Sequence, residues 1–326
     1  MIDFRYHLVS LAAVLIALSI GIVLGAGPLN DNIGSTLSGE VTKLRQEKED
    51  LRRQANEDRQ AIEGRDAYDE QTLPQVVGSR LSDDTATVVA LPEASDDDVA
   101  AARSVLERAG ASVADTVEVT ADWADADATA TRERDAVGDD ALGELGVTST
   151  VPDGAQPIDQ ALAVVLTGAR EPGDAARVDR TPRGSAWTRL RDAGLVDGPR
   201  DAPAAADVVV IVGGPVAATS ATATDSVDRG AERTAATWVA LSHVVDTHAD
   251  GAVLAAQEAE QGSADASPVT VARTPGSLAK GLSTVDDPEI PMGRAAIVLA
   301  LDERLDGRSG HYGLGAGADA PVPQAP

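Results

Sequence analysis

The chain has 326 residues, of which 43% are hydrophobic and only 2% aromatic, and it contains no cysteine. Without cysteine, disulfides, lipidated-cysteine anchors, thiolate metal sites and cysteine nucleophiles are all excluded. The 53 acidic and 27 basic side chains give a formal net charge of -26, and because so acidic a surface repels phosphates, we discount nucleic acid as a partner.

An apolar segment near the N-terminus predicts a membrane anchor over residues 1–30. No Asp, Glu, Lys or Arg occurs from His7 to Asn30. At ~1.5 Å per residue, Leu8–Leu24 with Gly25–Gly27 is long enough to cross a bilayer core of roughly 30 Å. A backbone in lipid must satisfy its own hydrogen bonds, so this segment is expected to be a helix that stops at Pro28. The anchoring side chains are Leu8, Leu11, Val14, Leu15, Leu18, Ile22 and Leu24.

A cleaved signal peptide is the alternative, since Val23 and Gly25 fit a weak cleavage pattern. Signal peptides usually have a shorter apolar region, of about 7–15 residues, and a more basic start than the single Arg5. A retained single-pass anchor is therefore favoured. Arg5 and the amino terminus on one side, with Asp31 as the first charge on the other, predict a cytoplasmic N-terminus and an extracytoplasmic C-terminal domain.

A heptad pattern follows the anchor and predicts a coiled-coil stalk over residues 31–72. Its seam alternates spacings of four and three residues, and mixed charge covers the other faces. Self-association through the seam into a homo-oligomer is one interpretation, and a single solvated spacer helix is the other. Pro74 is expected to end the helix at Leu73, because the residue before proline is pushed out of the α region. The apolar seam positions are Leu37, Val41, Leu44, Leu51 and Ile62, with Lys48, Ala55 and Asp58 as the remaining ones.

Strand and helix signals alternate from residue 73 onward. Thr85–Leu91 is predicted as a buried strand, a helix that begins at Asp96–Asp98 ends at Gly110, and Ala111–Val119 is predicted as the next strand. These elements form a β-α-β unit. The acidic triplet is interpreted as helix capping rather than a metal cluster, because carboxylates stabilise the exposed N–H groups at a helix start.

The second half of the domain continues this alternation. Residues 123–159 are interpreted as helical pieces and loops, and the apolar run Leu162–Leu166 fits a helix or a strand equally. The whole pattern predicts an α/β fold with a mainly parallel sheet over residues 73–313, followed by a disordered Gly-, Ala- and Pro-rich tail over 314–326. The other predicted elements are a helix capped by Ser185, a strand at Asp207–Val212, a long helix from Val227 to Val245, and strands at Gly251–Ala256, Val269–Ala272 and Ala295–Leu301.

No motif in the sequence indicates catalysis. Gly213-Gly214 follows a strand, but the spacing of a phosphate-binding loop is missing and Pro215 removes a backbone donor, so a strand-exit turn is predicted. Metal-ligand and hydrolase motifs are also missing, and Met292 stands apart from any Met-rich cluster of the kind that suits Cu(I). We therefore expect a protein that is not an enzyme, with no cofactor evident from motifs.

Three histidines are the candidate metal ligands of the soluble domain. His243 and His248 are expected to be a solvent-exposed pair near the end of the long helix, because His243 lies opposite its apolar stripe. His311 lies in the Gly310–Gly313 segment, which is expected to be a flexible loop. Their spacing matches no metal-binding motif, so the metal ligands stay unassigned.

Several blocks resemble the mycobacterial copper transport protein B family of actinobacteria. The most specific block is the opening Phe4–Val14, which continues into Gly21–Gly25. The resemblance extends in order over nearly the whole chain, and it implies a cell-envelope protein that acts in copper efflux or keeps intracellular copper low. It offers no set of copper ligands, so copper ion is an implied cofactor only. The later blocks are the charged heptads, Val77–Arg80, the strand before Asp96–Asp98, Val210–Gly214, Ser283–Asp287 and Tyr312–Gly315.

Three functions are compared on this basis. The first is a copper-homeostasis protein that acts through an oligomeric anchor and an acidic exterior domain. The second is a non-catalytic envelope scaffold that oligomerises through its coiled coil and recruits other envelope proteins. The third, an enzyme, is disfavoured, and a polar pocket at the carboxyl ends of the strands would support it. The family is described as pore-like, but one apolar helix can line a channel only by oligomerising.

Overall fold

The computed structural model describes residues 4–25, 29–152, 154–173, 176–219, 227–274, 276, 279 and 281–324, with the backbone alone for 29–38. The chain divides into two compact units, residues 1–65 and residues 66–326.

The first unit begins with the predicted apolar helix. Helix α1, Phe4–Gly25, has 22 residues and buries none of them, so its apolar side chains are free to contact lipid. Within the described residues it is the one helix long and apolar enough to cross a membrane. Pro28, expected to stop this helix, lies outside the described residues, and α1 ends at Gly25.

The polar helix α2, Leu29–Val77, runs through Pro74. The expectation that the helix ends at Leu73 is therefore wrong. Leu73 and Val77 are almost completely buried in the core of the second unit, and this packing favours the last turn despite the hydrogen bond that a proline removes. The amide of Gly78 donates to the carbonyl of Pro74 at 3.0 Å and closes that turn.

The second unit is built on a single sheet whose strand order is β4-β3-β1-β5-β6-β7-β8, with β2 also beside β1. Every pairing is parallel except that of β3 with β4, so the predicted mainly parallel sheet is confirmed. The strands are β1 Thr85–Ala90, β2 Ser112–Val113, β3 Val117–Val119, β4 Val196–Asp197, β5 Val208–Gly213, β6 Gly251–Ala256, β7 Ser283–Val285 and β8 His311–Tyr312.

Helices cover both faces of this sheet. The central strands are apolar along their whole length because neither face contacts water. Val209 and Ile211 pack into one core with α4 to α8, and Val208 and Val210 pack into the other with α3, α9 and the end of α2. The remaining helices are α3 Asp96–Arg108, α4 Ala128–Leu145, α5 Pro157–Thr167, α6 Arg180–Asp192, α7 Arg229–His248, α8 Pro268–Ala272 and α9 Pro291–Leu305.

Two predicted strands are wrong. Val269–Ala272 lies in α8 and Ala295–Leu301 lies in α9. Short apolar runs do not distinguish a buried strand from a buried helix by periodicity, and in both helices a proline at the first turn fixes the backbone for helix. The helix assigned to a Ser185 cap begins earlier, at Arg180.

The C-terminal residues 314–324 are ordered against the sheet, unlike the expected disordered tail. The amide of Gly313 donates to the carbonyl of Ala320 at 3.0 Å, and the amide of Asp319 donates to that of His311 at 2.7 Å. This Gly-, Ala- and Pro-rich segment has too few large apolar side chains to form a core, but backbone hydrogen bonds hold it against the edge of the sheet. Residues 325–326 lie outside the described part.

Candidate functional site

The direction in which the chain adds strands to the sheet reverses between β1 and β5. The chain continues from β1 to β2 and β3 on one side, and β5 to β8 add on the other. Open parallel sheets bind ligands outside the carboxyl ends of the strands at such a switch point. Here the two strand exits pack tightly, since a Cβ atom at Gly214 would lie 2.1 Å from the carbonyl oxygen of Glu93. Gly214 therefore allows the turn after β5 to pack closely against the turn after β1.

Two motifs distant in sequence meet at the carboxyl end of β7. The Asp286 carboxylate accepts hydrogen bonds from the amides of Leu314, at 2.7 Å, and Gly315, at 3.1 Å. It also forms an ion pair of 2.5 Å with Arg273, and the two side chains are 0% and 2% exposed. Asp286 thus fastens the C-terminal loop to the sheet through charge-assisted hydrogen bonds.

Arg273 connects three neighbouring elements through one guanidinium group. It donates to the Thr284 hydroxyl at 3.1 Å and to the Tyr312 carbonyl at 2.8 Å, in addition to its ion pair with Asp286. The Thr284 hydroxyl also lies 2.9 Å from Nδ1 of His311. A buried charge this well bonded fixes the end of α8 against β7 and β8.

The adjacent carboxyl groups Asp286 and Asp287 titrate differently. Burial alone would raise the pKa of Asp286, but hydrogen bonding with Asp287 and the Arg273 charge outweigh burial and hold this pKa below its usual value. Burial, together with hydrogen bonding to Asp286 and its charge, raises the pKa of Asp287 to about 7. Two neighbouring carboxyl groups that share one proton show this separation.

Further acidic side chains gather at the same edge of the sheet. Asp98, at the start of α3, accepts a hydrogen bond of 3.0 Å from Gln257. Burial, followed by the charges of Asp98 and Asp286, raises the pKa of Glu289. Burial also raises the pKa of Glu93. Several carboxyl groups thus lie near the carboxyl ends of these strands, and burial makes Glu93 and Glu289 harder to ionise.

Comparison with known proteins identifies the family of this chain. The sequence profile of the family described as "Copper transport outer membrane protein, MctB" matches residues 1–323. This chain belongs to that family. The copper transporter MctB of Mycobacterium tuberculosis is 32% identical over 323 residues, covering 98% of each chain, and that of Mycobacterium leprae is 32% identical over 332 residues, covering 99% of this chain and 100% of the relative. The resemblance drawn from the sequence is confirmed.

Within this MctB family member, the three candidate histidines are not brought together by any contact among the described residues. His248 is 7% exposed, and its Nδ1 lies 2.9 Å from the Val244 carbonyl. The predicted solvent exposure is wrong for His248, because α5, α8 and the sheet pack against more than one face of α7. His243 is half-buried, and burial lowers its pKa. His311 lies in the short strand β8 rather than in a loop.

Over the described residues, no group of three or more His, Cys, Asp or Glu side chains is arranged to hold a metal ion. The acidic triplet Asp96–Asp98 lies in the first turn of α3, where Ser95 accepts a hydrogen bond of 3.1 Å from the Asp98 amide. This geometry agrees with its interpretation as helix capping.

Sequence reasoning missed the central role of Arg273. The α8 region was expected to be a strand, and that error hid the position of this arginine at the end of a short helix. A local signal existed in Ser267-Pro268, since a serine followed by proline marks a helix start. The partner Asp286 lies thirteen residues further on, and only the folded chain brings the two together.

Proposed function

We propose that this chain acts in copper transport in the cell envelope as a non-catalytic, single-pass membrane protein. The end-to-end match to relatives named copper transporters carries this proposal, because it includes the anchor, the polar helix and the α/β unit. Helix α1 holds the chain in the membrane, with its N-terminus in the cytoplasm. Arg5 before the helix and Asp31 after it support this orientation.

Self-association through α2 is the second part of the proposal. The seam residues Val41, Leu44, Leu51 and Ile62 are 40%, 61%, 66% and 49% exposed, and exposed leucines at heptad spacing favour pairing with a second copy. Leu37, the first seam position, has no described side chain. A coiled coil would bring several α1 helices together, and an assembly of helices can enclose a passage that one helix cannot.

Copper enters this proposal as cargo. Cu(I) prefers thiolate and thioether ligands, and the chain has no cysteine and two methionines. The buried Asp286 is already occupied by Arg273 and two backbone amides. The described residues therefore do not fit a resident copper centre. A net charge of -26 attracts cations to the surface in a diffuse way.

A non-catalytic role is supported by what fills the carboxyl edge of the sheet. Enzymes with parallel sheets bind substrate there, whereas here the C-terminal loop lies on Asp286 and the Gly214 turn lies against Glu93. These contacts fill the edge beside β5 and β7, while a cavity of about 400 Å³ remains beyond β1 and β3, lined by residues that include Leu91, Asp96 and Glu118.

The scaffold that recruits other envelope proteins is the second candidate function, and the same exposed seam of α2 supports it. The two functions differ in whether loss of the chain changes the cellular copper concentration. A scaffold would keep its crosslinked partners whatever the copper concentration, and loss of the chain would leave cellular copper unchanged.

Cellular copper in a deletion strain tests both functions. The strain is complemented with the full chain, with a chain lacking residues 1–28, or with Leu44→Asn combined with Leu51→Asn in the seam. Gln46→Asn with Gln60→Asn, on the opposite face of α2, is the matched control. We expect copper to rise on deletion and to be restored by the full chain and the control only. Unchanged copper on deletion would contradict the transport role and favour the scaffold.

A further inference from the structure

A groove on the second unit concentrates positive charge on an otherwise acidic protein. The groove has a volume of about 650 Å³. Three arginines line it, Arg180, Arg183 and Arg200, against the two acidic residues Asp115 and Asp201. In a chain with twice as many acidic as basic side chains, this excess of arginine is a local reversal of charge.

The central feature of the groove is the buried cation of Arg183. The residue is 5% exposed. Its Nε and Nη2 donate to the Val165 carbonyl at 2.8 and 2.6 Å, and Nη2 also donates to the Pro203 carbonyl at 2.8 Å. These carbonyls fix the guanidinium group but carry no net charge. Among the described residues, Nη1 has no hydrogen-bond partner and no carboxylate forms an ion pair with Arg183.

Two other arginines of this unit pair with carboxylates, whereas Arg134, 6% exposed, is bonded like Arg183 to neutral oxygens but lines a cavity with Asp122, Asp125 and Glu133. Arg273 pairs with Asp286, and Arg304 pairs with Asp246 at 3.0 Å. Burying a charge without a counter-charge is strongly unfavourable, and arginine stays protonated because its pKa is too high to avoid that cost. Burial, followed by the charges of Arg177 and Arg180, lowers the pKa of Arg183. Arg183 thus adds an uncompensated positive charge to a groove that already holds Arg180 and Arg200.

The surroundings supply the rest of an anion site. Arg180 is 80% exposed and lies 3.9 Å from Asp201, which is equally exposed, so this pair is weak and readily exchanged. Arg180 is also the first residue of α6, whose N-cap Asp179 makes no side-chain cap hydrogen bond.

We propose that this arginine groove, defined by Arg180, Arg183 and Arg200, binds a phosphate-bearing anion. Guanidinium groups match phosphate oxygens with paired hydrogen bonds, and Arg183 is already oriented by its two carbonyl partners. The anion is either a free phosphate or the phosphodiester headgroup of a lipid. This inference is independent of the copper proposal, since none of its residues takes part in anchoring or self-association.

Isothermal titration calorimetry on the full chain in zwitterionic detergent tests the groove. Inorganic phosphate is the probe for a free anion, and glycerophosphoglycerol is the probe for a lipid headgroup. We expect saturable binding of at least one probe. Binding of the diester assigns the groove to lipid headgroups, and binding of phosphate alone assigns it to free phosphate. No binding of either probe would overturn the proposal.

Variants locate the binding. Arg180→Gln combined with Arg200→Gln removes two exposed charges and keeps the buried Arg183, so the fold is expected to persist. Affinity should fall at least about tenfold, as loss of hydrogen bonds to a charged group predicts. Arg132→Gln, an exposed arginine on α4, is the matched control and should bind as the unmodified chain does. Unchanged affinity in the double variant would show that the anion binds elsewhere and would refute the assignment.

Discussion

The two units of this protein depend on different surroundings. Residues 4–25 form an apolar helix without a buried residue, and the described side chains of the adjoining α2 segment up to Arg65 are also exposed. The α/β unit, by contrast, buries long runs such as Val208–Val212 completely. The first unit presents surfaces that lipid and a second chain could cover, whereas the second completes its own core. Truncating a side chain should therefore affect the two units very differently.

The largest effect is expected in the α/β core. Trp238→Ala removes a fully buried indole from α7 and should lower the free energy of unfolding by about 3–5 kcal/mol, because a large cavity remains. Urea unfolding followed by circular dichroism measures this. Leu51→Ala, at a position that is 66% exposed on α2, is the contrast and should leave the domain's unfolding midpoint unchanged. Equal losses in both variants would contradict the distinction between the units.

A smaller effect is expected at the buried ion pair. Asp286→Asn leaves the Arg273 guanidinium buried without its counter-charge and should destabilise the domain by about 3 kcal/mol. It should also loosen the C-terminal loop, which faster hydrogen exchange at Leu314 would report. Asp306→Asn is the control, because Asp306 forms an exposed pair with Arg308 and should change stability by less than about 0.5 kcal/mol. A mild Asp286→Asn phenotype would show that the loop is held by other contacts.

The third effect concerns pH. The folded pKa of Asp287, about 7, lies above its usual value of 3.8, so the folded state keeps this proton over that range while the unfolded state loses it. The contribution of Asp287 to stability is therefore present at acidic pH and declines as pH rises from about 4 to 7. Asp287→Asn should remove this decline, making the variant more stable relative to the unmodified chain at pH 8 than at pH 4. Urea midpoints across that range measure the difference, and parallel curves would refute it.

The sequence predicted those elements that carry a strong local signal. The apolar run of α1 exceeds the length of any ordinary core segment without a charge, and β1, β5 and β6 are continuous apolar strands. The three aspartates of the first turn of α3 made the beginning of this helix evident. These features depend on hydrophobicity and capping, which act between neighbouring residues.

The errors occurred where distant contacts decide the outcome. The apolar runs in α8 and α9 are the exception, because the proline at the first turn of each is a local helix signal. His248 was expected in water, but the elements packed around α7 bury it. The C-terminal segment looked mobile because its composition cannot form a core, and it became ordered through hydrogen bonds to β8 and Asp286.

By itself the sequence determined the apolar N-terminal helix, the heptad pattern, the α/β class and the family, because hydrophobic spacing and characteristic blocks are local properties of the chain. Only the tertiary structure decided which charges are neutralised. Arg273 and Asp286 meet across two elements, whereas Arg183 is buried among carbonyl groups without a described carboxylate partner. Electrostatic pairing depends on distances of a few ångströms between residues far apart in sequence, and folding alone sets those distances.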